Sequence, residues 1–224
     1  KSVAFDFQIQ KTVPGADLED HFTGSEAEYD NLSEQIGEIT AKLHTVKPKG
    51  FGRFDTRSTH DTLVGDMETN QDYVLLDVAS ELDQLNEHAI ISREQRASID
   101  QFFSDRVELM HVAEGSLLHY DIADHNIMFK GDRITGLIDW EAAVSGDPVL
   151  DIASMPTWKT YYPRLEQFLK GYKKHQQLPD NFDQKMLLYK VRTLLWKTVF
   201  CHKAEILNDV RKKRFYDCLI EAKI

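Results

Sequence analysis

The sequence lacks a membrane span, a cysteine framework and a strong basic patch, and each absence removes a class of function. No uncharged apolar run approaches the roughly 18 residues that would cross a bilayer. Mean hydropathy is −0.44, so no membrane partner is expected. The two cysteines, Cys201 and Cys218, form no C-x-x-C and have no second pair, which suggests neither a disulfide scaffold nor a zinc site. A reduced, cytoplasmic compartment is the expectation. No basic cluster exceeds Arg211–Arg214, and 37 acidic against 27 basic residues give a formal charge of −10. Phosphate backbones need concentrated positive charge, so no nucleic acid partner is expected. Internal repeats and low-complexity segments are absent too. The opening Lys-Ser-Val-Ala-Phe-Asp has no apolar run behind it that would make a signal peptide, and it reads as a cut end.

The chain does have 224 residues, 42% hydrophobic and 29% charged, enough for a packed core. Val3–Ile9 reads as a strand stopped by Pro14-Gly15. Ser25 and Glu28 make a capping box, followed by Tyr29, Leu32, Ile36, Ile39, Leu43 and Val46 at helical spacing until Pro48. Lys47–Asn70 reads as a long connecting loop. Helices are expected over Asp72–Glu87 and from the Ser92–Gln95 capping box to about Val112. Short β-prone runs follow at 117–119, 127–129 and 134–138, with Gly131-Asp132 as a hairpin turn. Beyond Pro148 the pattern is helical, interrupted by Pro156, Pro163 and Pro179, with helices expected around Phe182–Leu207 and Val210–Ala222.

The chemistry is concentrated between the β-prone runs. His119-Tyr120-Asp121-Ile122-Ala123-Asp124-His125-Asn126 sets a carboxylate and a carboxamide five apart in a loop, and Asp139 closes the following hairpin. Loops at strand ends are where a rigid scaffold presents catalytic groups, and hard oxygen donors suit Mg²⁺ holding phosphates. The order base, Asn, hairpin, Asp matches the kinase pattern in which one Asp serves as base while an Asn and a second Asp hold metal.

LLHYDIADHNIMF and GLIDWEAAVSGDPVLDIA together resemble the kinase-like phosphotransferase family of aminoglycoside phosphotransferases and choline kinases, with its H-G-D-x-x-x-x-N, I-D-[WF]-E and G-D-P-x-x-D-[LI]-A motifs. AKLHTVKPKGFGRFD and FDFQIQKTVPGADL are similar to the family's L-H/G-F-G stretch and hinge strand. The resemblance implies an α+β, mostly helical fold: the C-lobe of a protein-kinase-like fold, with a small catalytic β-hairpin and a helical substrate subdomain. It divides the chain into a hinge strand and linker at 1–15 and a C-lobe at 16–224, with catalytic and metal loops at 117–151 and a helical region at 152–224. The implied reaction is phosphoryl transfer from ATP or GTP, with Mg²⁺, to a hydroxyl of a small molecule.

By motif position, the resemblance makes Asp121 and His119 the catalytic pair, Asp121 orienting the hydroxyl proton and His119 bracing the loop. Asn126 and Asp139 would bind Mg²⁺ beneath the nucleotide, and the backbones of Gln10 and Thr12 would meet the base. Asp147 and Asp151 are expected to anchor the loop. Trp140 and Trp158 are expected as packing residues, and Glu141 is open between a substrate contact and a loop brace. Tyr120 departs from the family's usual Gly. Asp139 stands too close to Gly146-Asp147-Pro148 for a protein kinase's activation segment, which favours a small acceptor, and the acid excess favours one bearing an amine.

The sequence shows no G-x-G-x-x-G and no V-A-I-K strand, so an N-lobe of the same protein is expected as a partner and the isolated chain as a weak or inactive fragment. Two other readings compete. One is a non-catalytic binding domain on a kinase-like scaffold. The other is a divalent-metal hydrolase using His119, Asp121, His125 and Asp139, although that chemistry would need more His ligands and no Asn126.

Overall fold

The computed structural model describes residues 11–59, 61–157 and 164–224. The strand expected over Val3–Ile9, Gln10, Trp158 and Pro163 lie outside the described residues. Strand β1 (Ala16–Asp17) leads into a single turn, α1 (Leu18–His21), and then α2 (Glu26–Leu43). The Ser25 capping box forms as expected: Ser25 N donates to Glu28 Oε2 at 2.7 Å and Glu28 N donates to Ser25 Oγ at 3.3 Å. Leu32 and Ile36 are buried, whereas Val46 lies past the helix end and is exposed.

The segment expected to be a loop contains two strands, β2 (Phe51–Phe54) and β3 (Gly65–Met67). They are short and glycine-bearing, so no period of two had room to appear. The helix expected over Asp72–Glu87 is two, α3 (Asn70–Leu75) and α4 (Val78–Glu87). Leu76 leaves helical geometry and Asp77 takes a φ of +63°, which breaks the hydrogen-bond ladder. Apolar periodicity hid the break, because Val74, Val78, Leu82 and Leu85 are all buried across it. Helix α5 (Arg93–Ser104) starts at its expected capping box and ends earlier than expected, with a separate 3₁₀ turn at Val107–Met110.

The hairpin region holds β4 (Ser116–Leu118), β5 (Ile127–Lys130), β6 (Arg133–Leu137) and β7 (Val144–Gly146). Strands β5 and β6 pair antiparallel around Gly131, whose φ of +61° suits a tight turn. The described strands form two antiparallel sheets, β1-β5-β6 and β3-β2-β7-β4. The rest is helical: α6 (Pro148–Ser154), α7 (Leu165–Tyr172), α8 (Phe182–Lys203) and α9 (Asp209–Glu221). Helices α2 and α7 cross very closely. A Cβ on Gly37 would lie 1.9 Å from Phe168 O, and one on Gly171 would lie 1.9 Å from Glu34 O.

Two apolar clusters fill the molecule, and the loop of interest runs between them. Leu118 belongs to the cluster built on α4, α5, α8 and α9. Ile122 and Ile127 belong to the cluster shared with α2 and α7. The intervening polar residues are thereby clamped at both ends, which holds their side chains to one geometry at little entropic cost on binding.

Candidate active site

Strand β4 ends at Leu118, and the chain turns sharply because Tyr120 adopts a φ of +63°. That is left-handed backbone, where glycine is at ease and a tyrosine is strained, so the position suits the Gly that the resembled family usually has. The turn is fixed by Asp151 on α6. Its Oδ1 accepts from Tyr120 N at 2.8 Å and its Oδ2 from His119 N at 3.0 Å. His44, from the L-H stretch, adds a contact to Asp151 Oδ2 at 3.1 Å and reaches Tyr172 Oη at 2.8 Å through its other ring nitrogen. Asp147 is equally committed: it caps α6 by accepting from Val149 N at 2.9 Å, and its Oδ2 accepts from Lys185 Nζ at 2.6 Å and Tyr189 Oη at 2.9 Å. Both carboxylates are buried and serve as anchors.

Asp121 and Asn126 are brought together. The Asn126 amide nitrogen donates to Asp121 Oδ2 at 2.9 Å and to Asp121 O at 3.0 Å. Only the NH₂ end can donate to those oxygens, so the amide orientation is determined and Asn126 Oδ1 accepts nothing among the described residues. Asn126 is buried in a 3₁₀ turn at Asp124–Asn126, and its carbonyl accepts from Ile138 N at 3.0 Å, tying the loop to the end of β6. Asp139 follows at a φ of +63°, exposed and without a hydrogen bond among the described residues. An amide oxygen and a carboxylate on adjoining loops form a hard donor set that fits Mg²⁺.

His119 is fully buried and does not line the cleft. Its Nε2 meets Ile138 O at 2.9 Å, so that nitrogen carries the proton, while Nδ1 is buried without a partner. It braces the two loops from behind. Asp124, next in the loop, is buried against Tyr29 Oη, and burial pushes its carboxyl up to about 7. Thr12 lies on exposed coil ahead of β1 and does not line the cleft, to which this end of the chain contributes Glu19 instead.

A cleft of about 1110 Å³ opens in front of Asp121. The loop side presents Tyr120, Asp121 and His125, and the turn after β6 presents Trp140 and Glu141. Trp140, expected as a packing residue, is 42% exposed, with its ring centroid 4.6 Å from that of His119. The opposite wall comes from the α3–α4 junction and from α8. Arg192, unremarked in the sequence, is a buried strut: it donates to Val74 O at 2.6 Å, Leu76 O at 2.7 Å and Glu81 Oε2 at 2.8 Å. Among the described residues no group of three or more His, Cys, Asp and Glu could hold a metal. The hydrolase set of His119, Asp121, His125 and Asp139 is therefore not assembled, because His119 points behind the loop.

Residues 4–188 match the family described as APH, phosphotransferase enzyme family, and the chain belongs to that family. Among curated proteins, hygromycin-B 4-O-kinase of Escherichia coli is 30% identical over 63 residues, a match covering 28% of this chain and only 18% of that enzyme. Among solved structures, a thermostable mutant of aminoglycoside phosphotransferase APH(4)-Ia superposes with a TM-score of 0.67 at 18% identity, over 94% of this chain and 71% of that one. The same protein in ternary complex with AMP-PNP and hygromycin B gives 0.67 at 18% identity, over 95% and 70%. A putative fructosamine-3-kinase from Thermobifida fusca gives 0.66 at 15% identity, over 86% and 65%. At these identities the structural likeness establishes the fold, an α+β kinase-like one.

Proposed function

We propose that the protein transfers a phosphoryl group from ATP or GTP to a hydroxyl of a small molecule. The observation that carries this reading is the Asn126 amide holding the half-buried Asp121 carboxylate at 2.9 Å while Asp121 stays open to the cleft. Asp121 then orients the acceptor hydroxyl and takes up its proton. Asn126 Oδ1 and the Asp139 carboxylate would hold Mg²⁺, which when bound would neutralise phosphate charge. His119 is a positioning residue, joining the loop to Ile138. Phosphoryl transfer leaves little covalent work to a protein, so fixed geometry carries the rate.

Family membership and the AMP-PNP complex of the APH(4)-Ia neighbour support nucleotide use, and the relatives' names make aminoglycosides one class to include in the acceptor panel. On this reading residues 16–224 form the C-lobe, residues 1–15 carry the hinge strand, and the Lys that reaches the phosphates comes from an N-lobe. A non-catalytic binding domain is the second reading, favoured by Tyr120 at a position suited to glycine. Release of ADP by full-length protein with Mg·ATP and an acceptor panel separates the two. Loss of about 10²–10⁴-fold in Asp121→Asn supports the base assignment, and full activity in that variant refutes it.

A further inference from the structure

One face of α8 forms the cleft wall opposite the hairpin. Arg192, Trp196, Val199, Phe200 and Lys203 all line the cleft, at the three- and four-residue spacings that keep side chains on one side of a helix. Tyr120 does not plug the space in front of Asp121. Its hydroxyl accepts from Trp196 Nε1 at 3.2 Å, with ring centroids 6.3 Å apart, so the phenol extends the helix wall. Phe200 continues it, 6.4 Å from Trp196 and 50% exposed. The wall beside Asp121 is therefore an aromatic shelf of tilted rings, inclined by 44° between Tyr120 and Trp196 and by 67° between Trp196 and Phe200.

Charge enters at the shelf's outer end. Lys203 is seven residues beyond Trp196, about 10 Å along the axis at 1.5 Å per residue. It is exposed and makes no ion pair among the described residues. Arg211, from the start of α9, also lines the cleft, and its guanidinium donates to the backbone carbonyl of Ile206 rather than to a carboxylate. The cleft's acids are placed differently. Glu81 is closed on Arg192 at 2.8 Å, Glu19 contacts His125 at 3.2 Å, and Asp121 and Glu141 lie at the hairpin end. Glu81 also feels the Lys203 charge, and Asp77 is exposed beside it at the α3–α4 junction, so among the described cleft residues at this end two carboxylates stand against Arg192, Lys203 and Arg211. In a chain of charge −10, a cleft end biased towards positive charge is a local exception.

Resting on the phosphotransferase reading, we infer that the acceptor is a hydroxyl compound with an aromatic body and an anionic group at the end that faces Lys203 and Arg211, rather than a polycation. The hydroxyl meets Asp121, the body lies on Tyr120, Trp196 and Phe200, and the anion reaches Lys203 and Arg211. This departs from the amine-bearing acceptor that the overall acid excess suggested.

The test uses full-length protein without nucleotide and three matched probes: para-(hydroxyethyl)benzoate, the corresponding benzamide and the corresponding benzylamine. Dissociation constants by calorimetry or ligand-observed NMR should rank benzoate, benzamide, benzylamine, with about tenfold between the extremes for two partly exposed charge contacts. Lys203→Gln with Arg211→Gln should collapse that spread, as should Lys203→Gln alone in part, and Trp196→Ala should weaken all three probes together. Benzylamine binding equally or tighter, an unchanged spread in the double variant, or no binding by any probe overturns the inference. Because these readouts need no turnover, they fail independently of the phosphotransfer reading, which fails when no acceptor yields ADP.

Discussion

His44 and Asp151, 107 positions apart, meet in a closed pair with Nε2 and Oδ2 3.1 Å apart and side chains 1% and 0% exposed. The same carboxylate holds the amides of His119 and Tyr120, so one side chain joins α2, α6 and the turn that presents Asp121. Asp151→Asn would put an NH₂ against donors on one side and remove the charge that balances them. A buried group stripped of its complement costs about 3 kcal/mol. The urea midpoint should fall accordingly and turnover with it, and an unchanged midpoint contradicts the anchoring role.

Tyr120 separates two effects that a single substitution would confuse. Tyr120→Gly and Tyr120→Ala both lose the aromatic contact with Trp196, but only alanine keeps a Cβ at φ +63°. The glycine variant should be the more stable of the two by about 1 kcal/mol. Equal stabilities in denaturant titrations would mean that the left-handed turn is not strained.

The α2–α7 crossing offers a sharper steric test. Gly37→Ala would drive a methyl to 1.9 Å from Phe168 O, a backbone atom that cannot swing aside. Separation of the helices should cost about 2–3 kcal/mol, read as a lower melting temperature. A variant as stable as the parent contradicts the packing described.

Lys197 makes stability depend on pH. It is buried in α8, donating to Thr157 Oγ1 at 2.7 Å, and burial pushes its ammonium down from 10.5 to about 7, with the Asp121 charge acting the other way. Between those values the unfolded chain holds a proton that the folded chain lacks, so stability rises with pH through the window. Below about 7 the charge is present in both states and its burial cost is fully felt. Lys197→Met should remove this slope, of at most roughly 5 kcal/mol, when urea unfolding is compared at about pH 6.5 and about pH 9.5. An identical slope in parent and variant argues against a depressed lysine.

What could be read from the sequence was local. The capping boxes at Ser25 and Ser92 and the Gly131 turn announce themselves within four residues, and the structure places all of them. Asp121, Asn126, Asp147 and Asp151 stand out in the sequence because the motifs that carry them are contiguous. What escaped depended on distant partners. Strand β2 is a strand because β7 pairs with it at Gly52↔Ser145, and nothing in F-G-R-F declares that. The break at Asp77 carries no glycine or proline. Arg192 on α8 belongs to no motif, and its partners, Glu81 and the Val74 and Leu76 carbonyls, lie more than 100 positions away.

The most direct measurement is ADP release from Mg·ATP by full-length protein across a panel of hydroxyl acceptors, run beside Asp121→Asn and Asn126→Ala. Release should depend on the acceptor in the parent, drop about 10²–10⁴-fold in Asp121→Asn, and fall comparably in Asn126→Ala, where excess Mg²⁺ partly restores it. Release that persists undiminished in both variants, or that no acceptor stimulates, contradicts the phosphotransferase reading.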